Sequence, residues 1–129
     1  MSIKGARPHD RHIVAHLFLQ SVDRAAAFYA QAFGAIELYR STMPNGTVVH
    51  TQIKIGDSVL AISREHAAVE QAVVPEEHRG IRLRAPEAAG VTGVVLEMYV
   101  DDVDAVYQRA IDAGAEPRIP LADTFFGDR

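Results

Sequence analysis

The sequence predicts an α+β fold built from duplicated βαβββ modules, each a strand, a helix and three further strands, with the second module truncated at the C-terminus. Three observations predict it. Short apolar or alternating runs are separated by one alanine-rich helical run and by turn signals. An Asn45-Gly46 pair sits between two β-prone stretches. The opening pattern then returns about eighty residues later, as an internal duplication would make it.

The first module takes residues 13–64. "IVAHLFLQ" (13–20) is too short for a typical helix and free of Gly and Pro, so it reads as a strand. Ser21 or Asp23 caps "RAAAFYAQAF", which closes at Gly34, giving a helix with both its punctuation marks. "AIELYRSTM" follows as a strand, then "PNG", then "TVVHTQIKI". Both Asn45 and Gly46 tolerate positive φ, which makes this a hairpin. Gly56-Asp57 turns the chain once more into "SVLAIS". Residues 65–92 mix charges, prolines and glycines and read as a connector, with a short helix around 67–73. Residues 1–12 are a polar leader.

The second module takes residues 93–129. "VVLEMYV" is its opening strand, "DVDAVYQRAIDAGA" its helix, and "EPRIPLADT" starts another strand. Val22-Asp23 matches Val103-Asp104, and Gly34-Ala35 matches Gly114-Ala115 with one residue fewer in the second helix. By analogy with the first copy, about two strands are missing after "FFGDR". One copy buries a single face of its sheet, so it needs a partner copy in the same chain or in another.

Composition removes several classes of function. Of the 129 residues, 48% are hydrophobic and 23% charged, which is globular and allows a real core. A net charge of -4 gives no basic footprint for nucleic acid. The absence of cysteine removes disulfides, thiolate zinc sites and cysteine nucleophiles. The leader lacks the apolar centre of a secretory signal, and no apolar run is long enough to span a bilayer. A soluble, cytoplasmic protein without nucleic-acid or membrane partners is the expectation. No phosphate-cradling glycine loop, G-x-S-x-G or Gly-x-Gly-x-x-Gly is present.

Strand alternation sorts the polar residues. His16 shares a face with Val14, Phe18 and Gln20, while His50, Gln52 and Lys54 share one with Val48. Val95, Glu97 and Tyr99 oppose Leu96, Met98 and Val100. The offset that carries Val22 onto Val103 carries His16 onto Glu97. The remaining histidines, His9 and His12 in the leader and His66 and His78 in the connector, read as solvated. Arg82 and Arg84 could grip an anion but read more simply as surface. Phe28, Tyr29 and Tyr107 have the spacing of helix packing.

The segments "FYAQAFGAIELYR", "HTQIKIGDSVLAIS", "MYVDDVDAVYQRAIDAGA" and "DTFFGDR" give the chain its resemblance to the vicinal oxygen chelate superfamily. That group includes glyoxalase I, bleomycin-resistance proteins and extradiol dioxygenases, and the nearer match is its PhnB-like branch. The resemblance implies sheets curved into a cup, helices outside, chemistry inside and a homodimer. It implies that His16 and Glu97 meet across the cup as acid/base groups or as metal ligands, with His50, Gln52, Phe18 and Tyr99 lining a ligand site. A buried imidazole bonded to a carboxylate for stability is the plainer alternative. The usual ligand positions of metal-dependent relatives fall on Val14, Val95 and Ala61, none of which can coordinate, and His16 and Glu97 stand two residues further along. A divalent metal is therefore a less favoured expectation than no cofactor. Two functions follow: an enzyme acting on a small oxygenated molecule, or a metal-free protein that sequesters an antibiotic-like ligand. A dimerisation module without ligand is a third.

Overall fold

The computed structural model describes residues 13–65 and 83–129. The leader, the helix expected around 67–73, His9, His12, His66, His78 and Arg82 lie outside the described residues. The element order is β1 (Ala15–Leu19), α1 (Val22–Phe33), β2 (Ile36–Thr42), β3 (Val48–Ile55), β4 (Ser58–Arg64), α2 (Pro86–Ala89) and α3 (Val103–Asp112).

The first five elements form one layer of sheet and one of helix. The strands lie in the order β1-β4-β3-β2. β1 runs parallel to β4, and the other two pairings are antiparallel. The parallel pairing needs a crossover, which α1 and the two hairpins supply.

Local chemistry explains the boundaries. Ser21 is the cap of α1, its hydroxyl accepting from the Arg24 amide at 3.3 Å. Gly34 ends that helix at φ 67°, a left-handed conformation that costs a residue without a β-carbon little. The expected β2–β3 hairpin forms, turning over Pro44, Asn45 and Gly46. Only Gly46 has positive φ, at 88°. Met43 N–H donates to Thr47 O at 2.8 Å and Gly46 N–H to Met43 O at 2.9 Å. This is a three-residue loop closing on a left-handed glycine, and Asn45 contributes by accepting from the Thr47 amide at 3.0 Å.

The core lies between sheet and α1. Val22, Ile53 and Ile62 are buried there, with Leu17, Leu19, Ala25, Tyr29 and Leu60 packed against them. Each fully buried isoleucine contributes about 1.5–3 kcal/mol of transfer energy. Thr51 is the buried polar residue of this layer, and its hydroxyl donates to Tyr39 O at 2.8 Å. Phe28 and Tyr29 are half-buried in the helix layer, where their rings meet edge-on.

The second half is less ordered into strands than expected. Neither "VVLEMYV" nor "EPRIPLADT" forms one: residues 94–100 and 116–124 have no ladder pairing among the described residues. Strands exist by pairing, and "VVLEMYV" pairs with no described strand, although β1 and β2 are both edge strands. Pro117 and Pro120 remove two backbone donors from the other segment. The predicted helix does form. α3 is capped by Asp102, which accepts from the Ala105 amide at 3.0 Å, and it packs on α1, where Arg109 Nε donates to Gln31 O at 2.7 Å. Among the described residues no helix is long and apolar enough to cross a membrane.

Candidate functional site

The sheet has two unlike faces, and the register assigns the residues of each. His16 lies beside Ala61 and Phe18 beside Ser63 across β1 and β4. His50 pairs with Ser63 and Gln52 with Ala61 across β3 and β4. Tyr39 pairs with Gln52, and Ser41 with His50. The face turned away from α1 therefore gathers His16, Phe18, His50, Gln52, Ser63 and Tyr39.

Two of these side chains share the hydroxyl of a third. Ser63 Oγ is 2.7 Å from His16 Nε2 and 2.7 Å from His50 Nδ1. The two rings meet edge-on at 5.5 Å between centroids. Phe18 stacks on His16 at 4.5 Å with 27° between the planes, and Tyr39 tilts over His50 at 6.0 Å. The serine has one proton and two lone pairs, so with both imidazoles neutral it donates to one ring and accepts from the N–H of the other. Burial lowers the pKa of both histidines below the usual 6.5, and for His16 the neighbouring His50 lowers it further. His16 stays exposed while His50 and Ser63 are half-buried, so the cluster is open to solutes.

The predicted site residues divide accordingly. His16, Phe18, His50 and Gln52 are brought to one face. Glu97 and Tyr99 are not brought to it by any contact among the described residues. Both are exposed, Tyr99 at 82%, on the stretch that pairs with no strand. No His16–Glu97 contact is formed among the described residues, since Glu97 lies exposed on a stretch that joins no sheet. Arg84 is tied to Glu65 at 3.1 Å rather than left to an anion.

Sequence reasoning missed Ser63 and Tyr39. The signal for Ser63 was present: the two-residue slip that places His16 beyond Val14 also places Ser63 beyond Ala61. Tyr39 was hidden by the irregular register of β2 between Glu37 and Tyr39, which breaks simple alternation.

A divalent metal at His16 and Glu97 needs three or more donors converging on it. Among the described residues no group of three or more His, Asp or Glu side chains does so. Among the described residues, two ring nitrogens meeting on a hydroxyl with no carboxylate beside them are too few donors to fit such an ion.

Comparison with known proteins places these features. Residues 11–129 match the family model of the Glyoxalase/Bleomycin resistance protein/Dioxygenase superfamily. An uncharacterized protein of Mycobacterium bovis is 33% identical over 114 residues, covering 88% of this chain and 69% of its own length. Uncharacterized proteins of two Mycobacterium tuberculosis strains match at the same identity, and the chain spans 62% of their length. Among solved structures, TioX from Micromonospora sp. ML1 is similar at TM-score 0.59 and 27% identity, over 90% of this chain and 80% of that one. An Arabidopsis thaliana gene product is similar in fold at TM-score 0.62 and 22% identity, over 86% of this chain and 78% of that one.

Proposed function

Because the chain belongs to the Glyoxalase/Bleomycin resistance protein/Dioxygenase superfamily, we propose that it binds a small oxygenated molecule on the sheet face that carries His16, Ser63 and His50. The observation that carries this reading is the shared serine hydroxyl, 2.7 Å from each ring. It sets one imidazole as acceptor and the other as donor, and leaves their outer nitrogens for a ligand's own polar groups. Phe18 and Tyr39 flank the cluster with apolar ring area, the mixture of a few fixed polar groups and aromatic walls that small-molecule sites use. Gln52 adds a carboxamide on the same face.

We assign the chain to the PhnB-like branch on the segments that resemble it, and propose that a second copy completes the cup as a homodimer, bringing Glu97 and Tyr99 to the opposite wall. Support for the second copy comes from residues 94–100, where Val95, Leu96, Met98 and Tyr99 are all exposed. Sequestration and catalysis would share this site, since each ring keeps a nitrogen that Ser63 does not engage.

Titration calorimetry with metal-free bleomycin and with catechol, alongside NMR of the histidine ring protons, tests the proposal. Binding of either probe with shifts at His16 and His50 is expected. No heat and no shift with both would overturn it. Metal analysis of the purified protein addresses the other reading: stoichiometric metal that disappears in both His16→Ala and Glu97→Ala would replace this site with a metal centre.

A further inference from the structure

The serine hydroxyl between the two rings has a capacity beyond holding a ligand. Ser63 Oγ lies on an open sheet face, at hydrogen-bond distance from an imidazole nitrogen that can take its proton and from a second ring that can donate to it. A nucleophile beside a base, with the base oriented by a third group, is the arrangement that activates a hydroxyl. Here Phe18, stacked on His16, supplies the orientation. We infer that Ser63 is a nucleophile for acyl transfer, with His16 as its general base and small esters as the substrate class. The inference rests on the reading that this face admits small molecules.

The roles follow from exposure and geometry. His16 is the more exposed of the two histidines, so a proton it takes from Ser63 can pass on to a leaving group approaching from solvent. Phe18, stacked on it, holds the ring plane in place. His50 Nδ1–H then donates to Oγ and steadies the negative charge that gathers there before attack. Gln52, paired with Ala61 on the same face, carries an amide N–H that can meet the oxyanion.

The steps balance. Ser63 Oγ attacks the ester carbonyl carbon as His16 takes the hydroxyl proton, and the C–O bond to the alcohol breaks as that proton is handed to the leaving oxygen. The chain is left acylated at Ser63. Water attacks the acyl carbon, His16 takes its proton and returns it to Oγ, and the carboxylic acid leaves. The sum is ester plus water giving acid plus alcohol, with no oxidant or further reactant.

The test mixes the full chain with p-nitrophenyl acetate and follows nitrophenolate release together with the mass of the peptides. A burst approaching one equivalent per chain is expected, with the acetyl group on the peptide holding Ser63. Ser63→Ala should remove the burst. Ser63→Cys, which keeps a nucleophile at that place, should retain it and guards against a variant that merely fails to fold. His16→Ala should slow the burst about 100-fold. A burst undiminished in Ser63→Ala, acetyl groups found only on lysine or histidine, or no acetylation at all would each overturn the inference. Probe binding at His16 and His50 without acetylation would sink the nucleophile alone and leave the binding site standing.

Discussion

Ser63 holds a single proton between two ring nitrogens, and the state of those rings follows from it. Replacing it by alanine leaves His16 Nε2 and His50 Nδ1 without their shared partner. At this half-buried place the loss should cost about 1 kcal/mol of stability, read from urea unfolding, and should release the two rings' tautomers, read from nitrogen chemical shifts. Acid should act on the same residues. Both imidazoles are held below the ordinary 6.5, chiefly by burial, so the unfolded chain binds protons that the folded chain resists. The stability carried by the neutral pair is therefore complete above pH 6.5 and declines as pH falls below it. Urea midpoints measured on either side of that value should differ in wild type, and the difference should shrink in the double variant His16→Gln, His50→Gln. The facing of His16, His50 and Gln52 was legible in the sequence because strand alternation is rigid. Their common partner was not, because the register that sets Ser63 beside both histidines comes from pairing between segments that are distant along the chain.

Punctuation decides the elements. The β2–β3 loop depends on Gly46 at φ 88°, where any β-carbon is strained although nothing crowds the position. Gly46→Ala should therefore destabilise by about 1–2 kcal/mol through the backbone alone, visible as a lower melting temperature with an unchanged near-ultraviolet spectrum. Ser21→Ala should cost about 1 kcal/mol through the lost cap of α1. These boundaries were readable because capping and turn residues act within a few positions of themselves. "VVLEMYV" has equally good strand composition and yet forms no ladder among the described residues. Its failure shows the limit of local reading, since hydrophobic pattern proposes a strand and only a neighbour's amides make one.

At the level of the molecule, α3 is joined to the first half through its contact with α1. Arg109 spans the two, its guanidinium donating to Gln31 O and lying 3.9 Å from the place a β-carbon would take on Gly34. Arg109→Ala should raise amide hydrogen exchange throughout α3 while leaving the four-stranded sheet protected. The proposed dimer belongs to this scale too: light scattering should give twice the chain mass, and charge introduced at Tyr99→Lys should shift it toward the monomer. The duplicated plan was visible in the sequence, because matching helices with matching Gly-Ala ends survive divergence. The relation between the halves was not, since it turns on an arginine against a carbonyl, a contact without sequence periodicity.

β1 stands at the rim of the sheet, paired on one flank with β4 and with no described strand on the other. Its sequence, AHLFL, has neither lysine nor proline to discourage company. Any backbone that zips along this margin would present alternate side chains next to His16, so the identity of that neighbour would set what the imidazole meets. Recognition at the proposed site would in that sense depend partly on the border of the sheet.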